Sequence, residues 1–239
     1  MDPFLHHPSL RGAINAPESS FFYDMTAARF VQLMLDAGLT PFDVHSDAVR
    51  EGMRRALMAQ APAEEVWVFA YGSLMWDPGF HFAEVRRARI DGYARRFVLK
   101  DDVGGRGNPD APGLMAGLAP GAHCDGLAYR IAPEAVEEET ARLCRRELLG
   151  PAYLPAWHPA QTAQGPIQVM VFVADPDADG IELDLSWAAQ VEYLATGEGI
   201  LGTSYDYIRE LVEKLRQLKI EDAEMEALLA DVEQFRAAR

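Results

Sequence analysis

Apolar residues follow two patterns along the chain: short continuous runs in its middle and helically spaced positions at both ends. Residues 66–71 are all apolar or aromatic, which predicts a short strand buried on both faces. Residues 167–174 are rich in β-branched side chains and predict the strongest strand of the chain. Further strands are expected within residues 85–99, 114–118 and 126–131, with Asp91-Gly92 as a hairpin turn inside the first of these.

The two ends of the chain are predicted to be helical. Before residue 63 the apolar spacing predicts two helices, and the expected caps are Asp24 or Thr26 for the first and Ser46 or Asp47 for the second. Residues 1–23 are predicted to form an irregular arm, with Phe21-Phe22-Tyr23 as its packing anchor. We therefore divide the chain into an N-terminal helical extension, residues 1–63, and a main domain, residues 64–239, whose last third is again helical.

The first predicted strand stops at Gly72-Ser73, which is a turn signal. Backbone N–H groups in such a loop can lack strand partners, and a bound anion or a carbonyl oxygen would then satisfy them. The alternative interpretation is an ordinary turn after a core strand. Glycine allows a ligand to approach the backbone closely, so both interpretations fit the residue type.

Charged residues near this strand offer further candidates. Five arginines within residues 85–99 are either solvated on edge strands or form a positive rim for an anion, and we single out Arg96, beside Phe97. Residues 100–113 are predicted to form a mobile polar loop. Its segment Gly104-Gly105-Arg106-Gly107-Asn108 is a weak phosphate signal, because no strand–turn–helix context surrounds it.

Glu147 is the acidic residue with the most unusual expected position. A helix opening at Pro133-Glu134 should end near Glu147, before Gly150-Pro151. The helix dipole disfavours a carboxylate at this end by a few tenths of a kcal/mol to about 1 kcal/mol. Two interpretations remain open: an exposed residue paired with a neighbouring arginine, or a base whose pKa is raised by burial.

Composition narrows the class of protein. The chain has 239 residues, 49% of them hydrophobic, and a net charge of −15 with a sequence pI near 4.8. Such acidity disfavours nucleic acid and anionic membrane as partners. We see no secretory signal and no run near the roughly 18 apolar residues of a membrane span. Cys124 and Cys144 give neither a disulfide framework nor a metal spacing, so we expect a cytoplasmic protein with two reduced thiols and no metal bound to them.

Several segments together resemble the γ-glutamylcyclotransferase family, specifically its ChaC-like branch. The resemblance spans roughly residues 66–232 and leaves residues 1–63 unaccounted for. One difference is Leu114, where we expect the family to have an arginine after Pro-Gly, and this bears on substrate contacts. The matching segments are Phe69-Ala70-Tyr71-Gly72-Ser73-Leu74 with Trp76, Gly92-Tyr93-Ala94-Arg95-Arg96-Phe97, Gly126-Leu127-Ala128-Tyr129-Arg130, Arg146-Glu147 with Tyr153, and Gly202-Thr203-Ser204-Tyr205-Asp206-Tyr207-Ile208.

The resemblance implies a mixed α/β fold, with a small, partly closed barrel of mixed strands and helices packed around it. It implies a lyase that cyclises a γ-glutamyl substrate, typically glutathione, to 5-oxoproline without a cofactor. Glu147 would be the general acid and base. The implied substrate-binding residues are Tyr71, Gly72, Ser73, Leu74, Tyr153 and Tyr207, to which we add Arg96 from its charge.

Three other functions are weighed against this one. A serine hydrolase would need Ser73 in a Gly-x-Ser-x-Gly elbow, but positions 71 and 75 are Tyr and Met. A non-catalytic binding or regulatory protein on the same fold stays open, and so does an enzyme for another γ-glutamyl amine or amino acid. The sequence predicts no oligomeric state.

Overall fold

The structure is a computed structural model that describes residues 2–39 and 44–239. Its helices and strands in chain order are α1 (Ala27–Asp36), α2 (Asp47–Met58), β1 (Trp67–Ala70), β2 (Glu84–Asp101), β3 (Gly113–Arg130), α3 (Val136–Glu147), β4 (Tyr153–Thr162), β5 (Gly165–Ala174), α4 (Trp187–Thr196), β6 (Glu198–Gly199), β7 (Gly202–Thr203), α5 (Ser204–Leu218) and α6 (Ala223–Ala237). Short 3₁₀ turns lie at Pro8–Leu10, Pro17–Ser19, Ser73–Met75 and Pro133–Ala135.

Five strands close into a barrel in the order β1-β3-β2-β4-β5, and β5 returns to pair with β1. The β1–β5 pair is parallel and the other pairs are antiparallel, so the sheet is mixed. Trp67 and Phe69 of β1 join one buried cluster, while Val68 and Ala70 join another. The predicted mixed α/β barrel is confirmed, and the barrel is closed rather than partly closed.

Two predicted pairs of short strands are each one long strand. β2 and β3 both contain 18 residues and pair antiparallel over nearly their whole length. The predicted hairpin turn at Asp91-Gly92 is therefore wrong. Gly92 has φ 84°, and the register shifts between Asp91 and Tyr93, so the glycine forms a bulge inside the strand. A bulge increases local twist, which lets a long strand curve around the barrel.

Helices cover the barrel from both ends of the chain. The predicted helices of the extension are confirmed: Thr26 Oγ1 accepts from the Arg29 N–H group at 3.2 Å, and Ser46 Oγ accepts from the Val49 N–H group at 3.3 Å. α2 packs against α3 and β4, whereas α4, α5 and α6 pack together beside β3. Among the helices that the structure describes, none is both long and apolar enough to cross a membrane.

Candidate active site

Glu147 is the last residue of α3, and its side chain is only 14% exposed. Burial raises the pKa of this carboxyl, and the positive charge of Arg146 acts in the opposite direction. The Glu147 Oε1 atom lies 3.1 Å from Arg146 Nε. The carboxylate is thus buried with a raised pKa and also paired with a neighbouring arginine, so the expected exposure is wrong, the expected pairing is present, and the role of Glu147 as a base stays a prediction.

Arg146 connects this carboxylate to the turn after β1. Its Nη2 donates to Ser73 Oγ at 2.8 Å and its Nη1 donates to the Asp77 carbonyl oxygen at 2.6 Å. The Arg146 side chain is only 7% exposed, so these contacts are largely shielded from water. A planar guanidinium with donors in fixed directions suits this task, because one group holds Glu147, Ser73 and Asp77 at once.

The Gly-Ser turn brings the backbone close to a phenol. Gly72 has no side chain where an added Cβ would lie 3.2 Å from Tyr207 Oη, so a larger residue would crowd this contact. Ser73 then begins a single 3₁₀ turn in which the Met75 N–H group bonds to the Gly72 carbonyl at 2.9 Å. Within the described ranges, the N–H groups of Ser73 and Leu74 have no acceptor. Leu74 itself is buried in the core.

Three tyrosines from separate parts of the chain lie near Glu147. Burial raises the pKa of Tyr71, Tyr153 and Tyr207, and the nearby charge of Glu147 adds to the rise in each case. The Tyr71 hydroxyl donates to the Phe172 carbonyl at 3.0 Å, and the Tyr153 hydroxyl donates to the Ala116 carbonyl at 3.1 Å. The structure therefore brings Glu147, the Gly-Ser turn and all three tyrosines together.

Arg106 is a site residue that the sequence reasoning did not select. Its guanidinium lies 4.8 Å from the ring centre of Tyr207, and its Nη1 donates to the Thr203 carbonyl at 3.1 Å. Burial lowers the pKa of Arg106, while Tyr207 and nearby acids act against that change. Among the described residues, no carboxylate forms an ion pair with it. In the sequence, Arg106 lies within the segment Gly104 to Asn108, which we interpreted only as a weak phosphate-binding motif.

The loop that carries Arg106 is held by one carboxylate. Asp101, at the end of β2, accepts hydrogen bonds from the N–H groups of Val103, Gly104, Gly105 and Arg106. The Arg106 carbonyl oxygen in turn accepts from Ser204 Oγ at 2.9 Å. These contacts join the loop to the start of α5, the helix that carries Tyr207.

Arg95, rather than Arg96, contacts the turn region. Arg95 Nε donates to the Tyr71 carbonyl oxygen at 2.5 Å, and its Nη1 forms an ion pair with Asp222. Arg96 is half-buried on the same strand and lines a surface depression with Glu221 and Asp222. Within the described part of the chain, its side chain makes no hydrogen bond or ion pair. The structure does not bring Arg96 together with Glu147 and the tyrosines.

Comparison with known proteins identifies the family. A model described as ChaC-like protein matches residues 66–235. This chain belongs to the ChaC-like family. A relative named glutathione-specific γ-glutamylcyclotransferase from Escherichia coli K12 is 34% identical over 184 residues, which cover 76% of this chain and 79% of the relative. A glutathione-specific γ-glutamylcyclotransferase 1 from Danio rerio is 30% identical over 161 residues, covering 65% and 82%.

A solved structure supports the ChaC-like fold. The crystal structure of the yeast γ-glutamyl cyclotransferase specific to glutathione superposes with a TM-score of 0.66 at 22% identity. The superposition covers 74% of this chain and 99% of the yeast chain. Leu114 is fully buried in the ChaC-like core, and its N–H group donates to Ser204 Oγ at 3.0 Å. The side chain at this position therefore packs as an apolar residue, where we expected the family to have an arginine.

Proposed function

We propose that the chain is a γ-glutamylcyclotransferase that converts glutathione into 5-oxoproline and Cys-Gly. The names of its relatives support the substrate, and family membership supports the reaction. The observation that carries the proposal is the buried Glu147 carboxylate, which lies among three tyrosines and is tied through Arg146 to the Gly-Ser turn. We also propose a cytoplasmic location, which the two free, buried cysteines support, and no nucleic acid or membrane partner.

In this reaction the nucleophile belongs to the substrate. The α-amine attacks the γ-carbonyl carbon, a C–N bond closes the five-membered ring, and the bond to the cysteine nitrogen breaks. The protein must therefore fold the substrate so that amine and carbonyl meet. Such orientation supplies roughly 7–11 kcal/mol of barrier lowering in well-aligned intramolecular reactions. No serine or cysteine nucleophile is needed, which fits a Ser73 hydroxyl engaged by Arg146.

Glu147 would carry protons between the two nitrogens. An α-amine with a pKa of about 8 is mostly protonated at neutral pH, so a base must remove a proton before attack. A carboxylate in water is a weak base, and burial improves Glu147 because it raises the pKa. From ammonium to ring amide the α-nitrogen loses two protons, one before attack and one after it, and the leaving cysteine nitrogen gains two. The same carboxyl would relay these protons one after the other, so Glu147 ends the cycle as it began.

Backbone and cationic groups would hold the rest of the substrate. The N–H groups of Ser73 and Leu74, which have no acceptor among the residues that the structure describes, are suited to the γ-carbonyl oxygen as it gains negative charge. One such donor is typically worth about 2.7–4 kcal/mol. Tyr153 and Tyr207 would close the pocket around the glutamyl part. Arg106, which has no carboxylate partner within the described residues, would attract a substrate carboxylate.

The decisive variant is Glu147→Gln. We expect it to fold and to lose at least about 10²–10⁴-fold in 5-oxoproline release, the usual contribution of a positioned acid–base group. Because only the deprotonated Glu147 accepts a proton, kcat/KM of the parent should fall as pH decreases through a pKa above the ordinary carboxyl range. Glu138→Gln is the matched control, since Glu138 lies on the same helix but is exposed and pairs with Arg142.

The substrate is tested with a panel that separates the remaining alternatives. Glutathione, γ-glutamyl-alanine and a γ-glutamyl amine without a second carboxylate are incubated with the full chain, and 5-oxoproline is measured. We expect glutathione to be the best substrate and the amine the poorest, because the amine lacks the group that Arg106 would bind. Binding without 5-oxoproline from any of the three would instead support a non-catalytic protein. Parent-like turnover by Glu147→Gln would contradict the mechanism.

A further inference from the structure

The N-terminal arm reaches the proposed site from outside the family-matched region. The match begins at residue 66, yet the Asn15 N–H group bonds to the Trp76 carbonyl oxygen at 2.7 Å. Ser20 Oγ bonds to Asp77 Oδ2 at 2.9 Å, four residues after the serine of the Gly-Ser turn. These bonds connect the arm to the segment that follows Ser73, across more than 50 residues of sequence.

Phe22 of this arm lies on the arginine that organises the site. The Arg146 Cζ atom is 4.6 Å from the Phe22 ring centre. The Phe22 backbone N–H group also donates to Ser20 Oγ at 3.2 Å, so the Phe22 backbone is held by the same serine that bonds to Asp77. Phe22 is half-buried and also packs against the cluster of Met25, Phe30 and Met34.

The hydrogen bonds of Arg146 lie in the plane of its guanidinium, and the Phe22 ring adds a contact of a different kind. The hydrogen bonds of Arg146 to Ser73 and Asp77, and its close approach to Glu147, involve N–H groups that lie in the guanidinium plane. Hydrogen bonds keep much of their strength over a range of angles, so these in-plane contacts alone still allow the guanidinium plane to tilt somewhat. An aromatic face against the guanidinium restricts this tilt and also attracts the cation.

We propose that Phe22 is a positioning residue, which holds the Arg146 guanidinium in the orientation that keeps Glu147 and Ser73 in place together. The inference rests on the proposed function for its kinetic consequence. It assigns a task to part of the extension, residues 1–63, that the family-matched region does not contain. Phe22 acts through Arg146 and is therefore a positioning residue rather than a catalytic one.

The test compares Phe22→Leu with Phe22→Tyr in the full chain. Leucine keeps an apolar side chain against Met25 but removes the aromatic face, while tyrosine keeps the face. We expect Phe22→Leu to lower kcat for glutathione by about 10-fold or more, since misplacement by about 1 Å can cost roughly 10²-fold. We also expect the acid limb of its kcat/KM profile to move to higher pH, because the Arg146 charge then lies less close to Glu147. Phe22→Tyr should keep both kcat and the acid limb of the kcat/KM profile at their parent values.

Phe4→Leu is the matched control. Phe4 is another aromatic residue of the extension, but it packs on Phe82 with ring centres 5.9 Å apart and lies under Arg11. Its substitution should affect thermal stability without moving the acid limb. The acid limb reports on Glu147 through its surroundings, which include Arg146, Tyr71, Tyr153, Tyr207 and Cys144.

Hydrogen exchange gives a readout that does not depend on turnover. Peptides that cover residues 72–79 and 144–149 should lose protection in Phe22→Leu and keep it in Phe4→Leu. If the parent released no 5-oxoproline, the proposed function would fail while this comparison still tested the positioning role. A folded Phe22→Leu protein with the kcat, acid limb and exchange of the parent would overturn the inference.

Discussion

The C-terminal helices and helix α2 of the extension differ in the polar contacts that hold them, although Leu10, Ile14 and Leu57 of the extension also join the main apolar core. The C-terminal helices α5 and α6 bury apolar side chains, including Leu211, Leu228 and Val232, which are all fully buried. The extension instead places arginines of α2 against α3: Arg50 donates to the Arg145 carbonyl at 2.8 Å, and Arg54 bonds to Thr140 and Glu137. The apolar burial by α5 and α6 is non-directional, whereas the arginine contacts of α2 depend on the orientation of hydrogen bonds.

Each kind of contact supports one side of the proposed site. Tyr207 lies near the start of α5, and the apolar packing of this helix fixes its position. Arg146 and Glu147 end α3, the helix that the arginines of α2 hold. Apolar burial can fix where a phenol lies, but a buried carboxylate needs directed polar contacts around it. The two sides of the proposed site therefore differ in their contacts because one positions a phenol and the other positions a buried carboxylate.

The largest loss of stability is expected on the apolar side. Leu211→Ala removes a fully buried side chain from α5 and should lower the free energy of unfolding by about 2–5 kcal/mol. Urea unfolding at neutral pH measures this, and the loss should be the same at low and high salt. Leu154→Ala is the control, because Leu154 is exposed and its truncation should change stability by less than about 0.5 kcal/mol.

A smaller loss is expected on the polar side. Arg54 is only 3% exposed, but its partner Glu137 is 83% exposed and can return to water when the arginine is removed. Arg54→Met should therefore cost about 1.5–3 kcal/mol, the range for hydrogen bonds that involve a charge. The loss should shrink between about 0.05 and 0.5 M salt, unlike that of Leu211→Ala.

Arg55→Met provides the control for this variant. Arg55 pairs with Glu51, as Arg54 does, but its side chain is mostly exposed. Its replacement should cost less than about 0.5 kcal/mol. An Arg54→Met protein as stable as the parent at both salt concentrations would remove the basis of the comparison between the two ends.

Local features of the site were predictable and non-local ones were not. The buried strand β1, the caps Thr26 and Ser46, and the end of α3 at Glu147 follow from neighbouring residues. The bulge at Gly92 was misread as a turn, because positive φ serves both purposes and only the barrel decides between them.

The choice of Arg96 instead of Arg95 shows a second limit. Bulges at two points of β2 change which residues face inward, so counting alternate positions along the sequence does not give the orientation of either arginine. Arg146 was recognised only as a neighbour of Glu147. Its contacts with Ser73 and Phe22 join residues 73 and 124 positions away in sequence, and no local pattern reports them.

The smallest expected effect concerns a histidine that joins the arm to α3. His81 Nε2 lies 2.8 Å from Glu18 Oε1, and His81 Nδ1 lies 2.9 Å from Glu139 Oε1. Burial tends to lower the pKa of His81, but the two carboxylates outweigh it, so the pKa is raised in the folded protein. The stabilisation is therefore complete below the ordinary histidine pKa of about 6.5, and it is lost as pH rises through the raised value.

His81→Gln should thus be less stable than the parent at pH 6 and equally stable at pH 8.5, as measured by urea unfolding at both values. Because His81 is 47% exposed, solvent screening keeps the difference at pH 6 below about 1 kcal/mol. His158→Gln is the control for the loss of a histidine ring, since its Nδ1 atom faces the Pro159 carbonyl oxygen and no carboxylate among the described residues pairs with it. If His81→Gln lowered the free energy of unfolding equally at both pH values, packing rather than charge would hold the arm here. The contacts of the extension would then be of the same kind as those of the C-terminal helices.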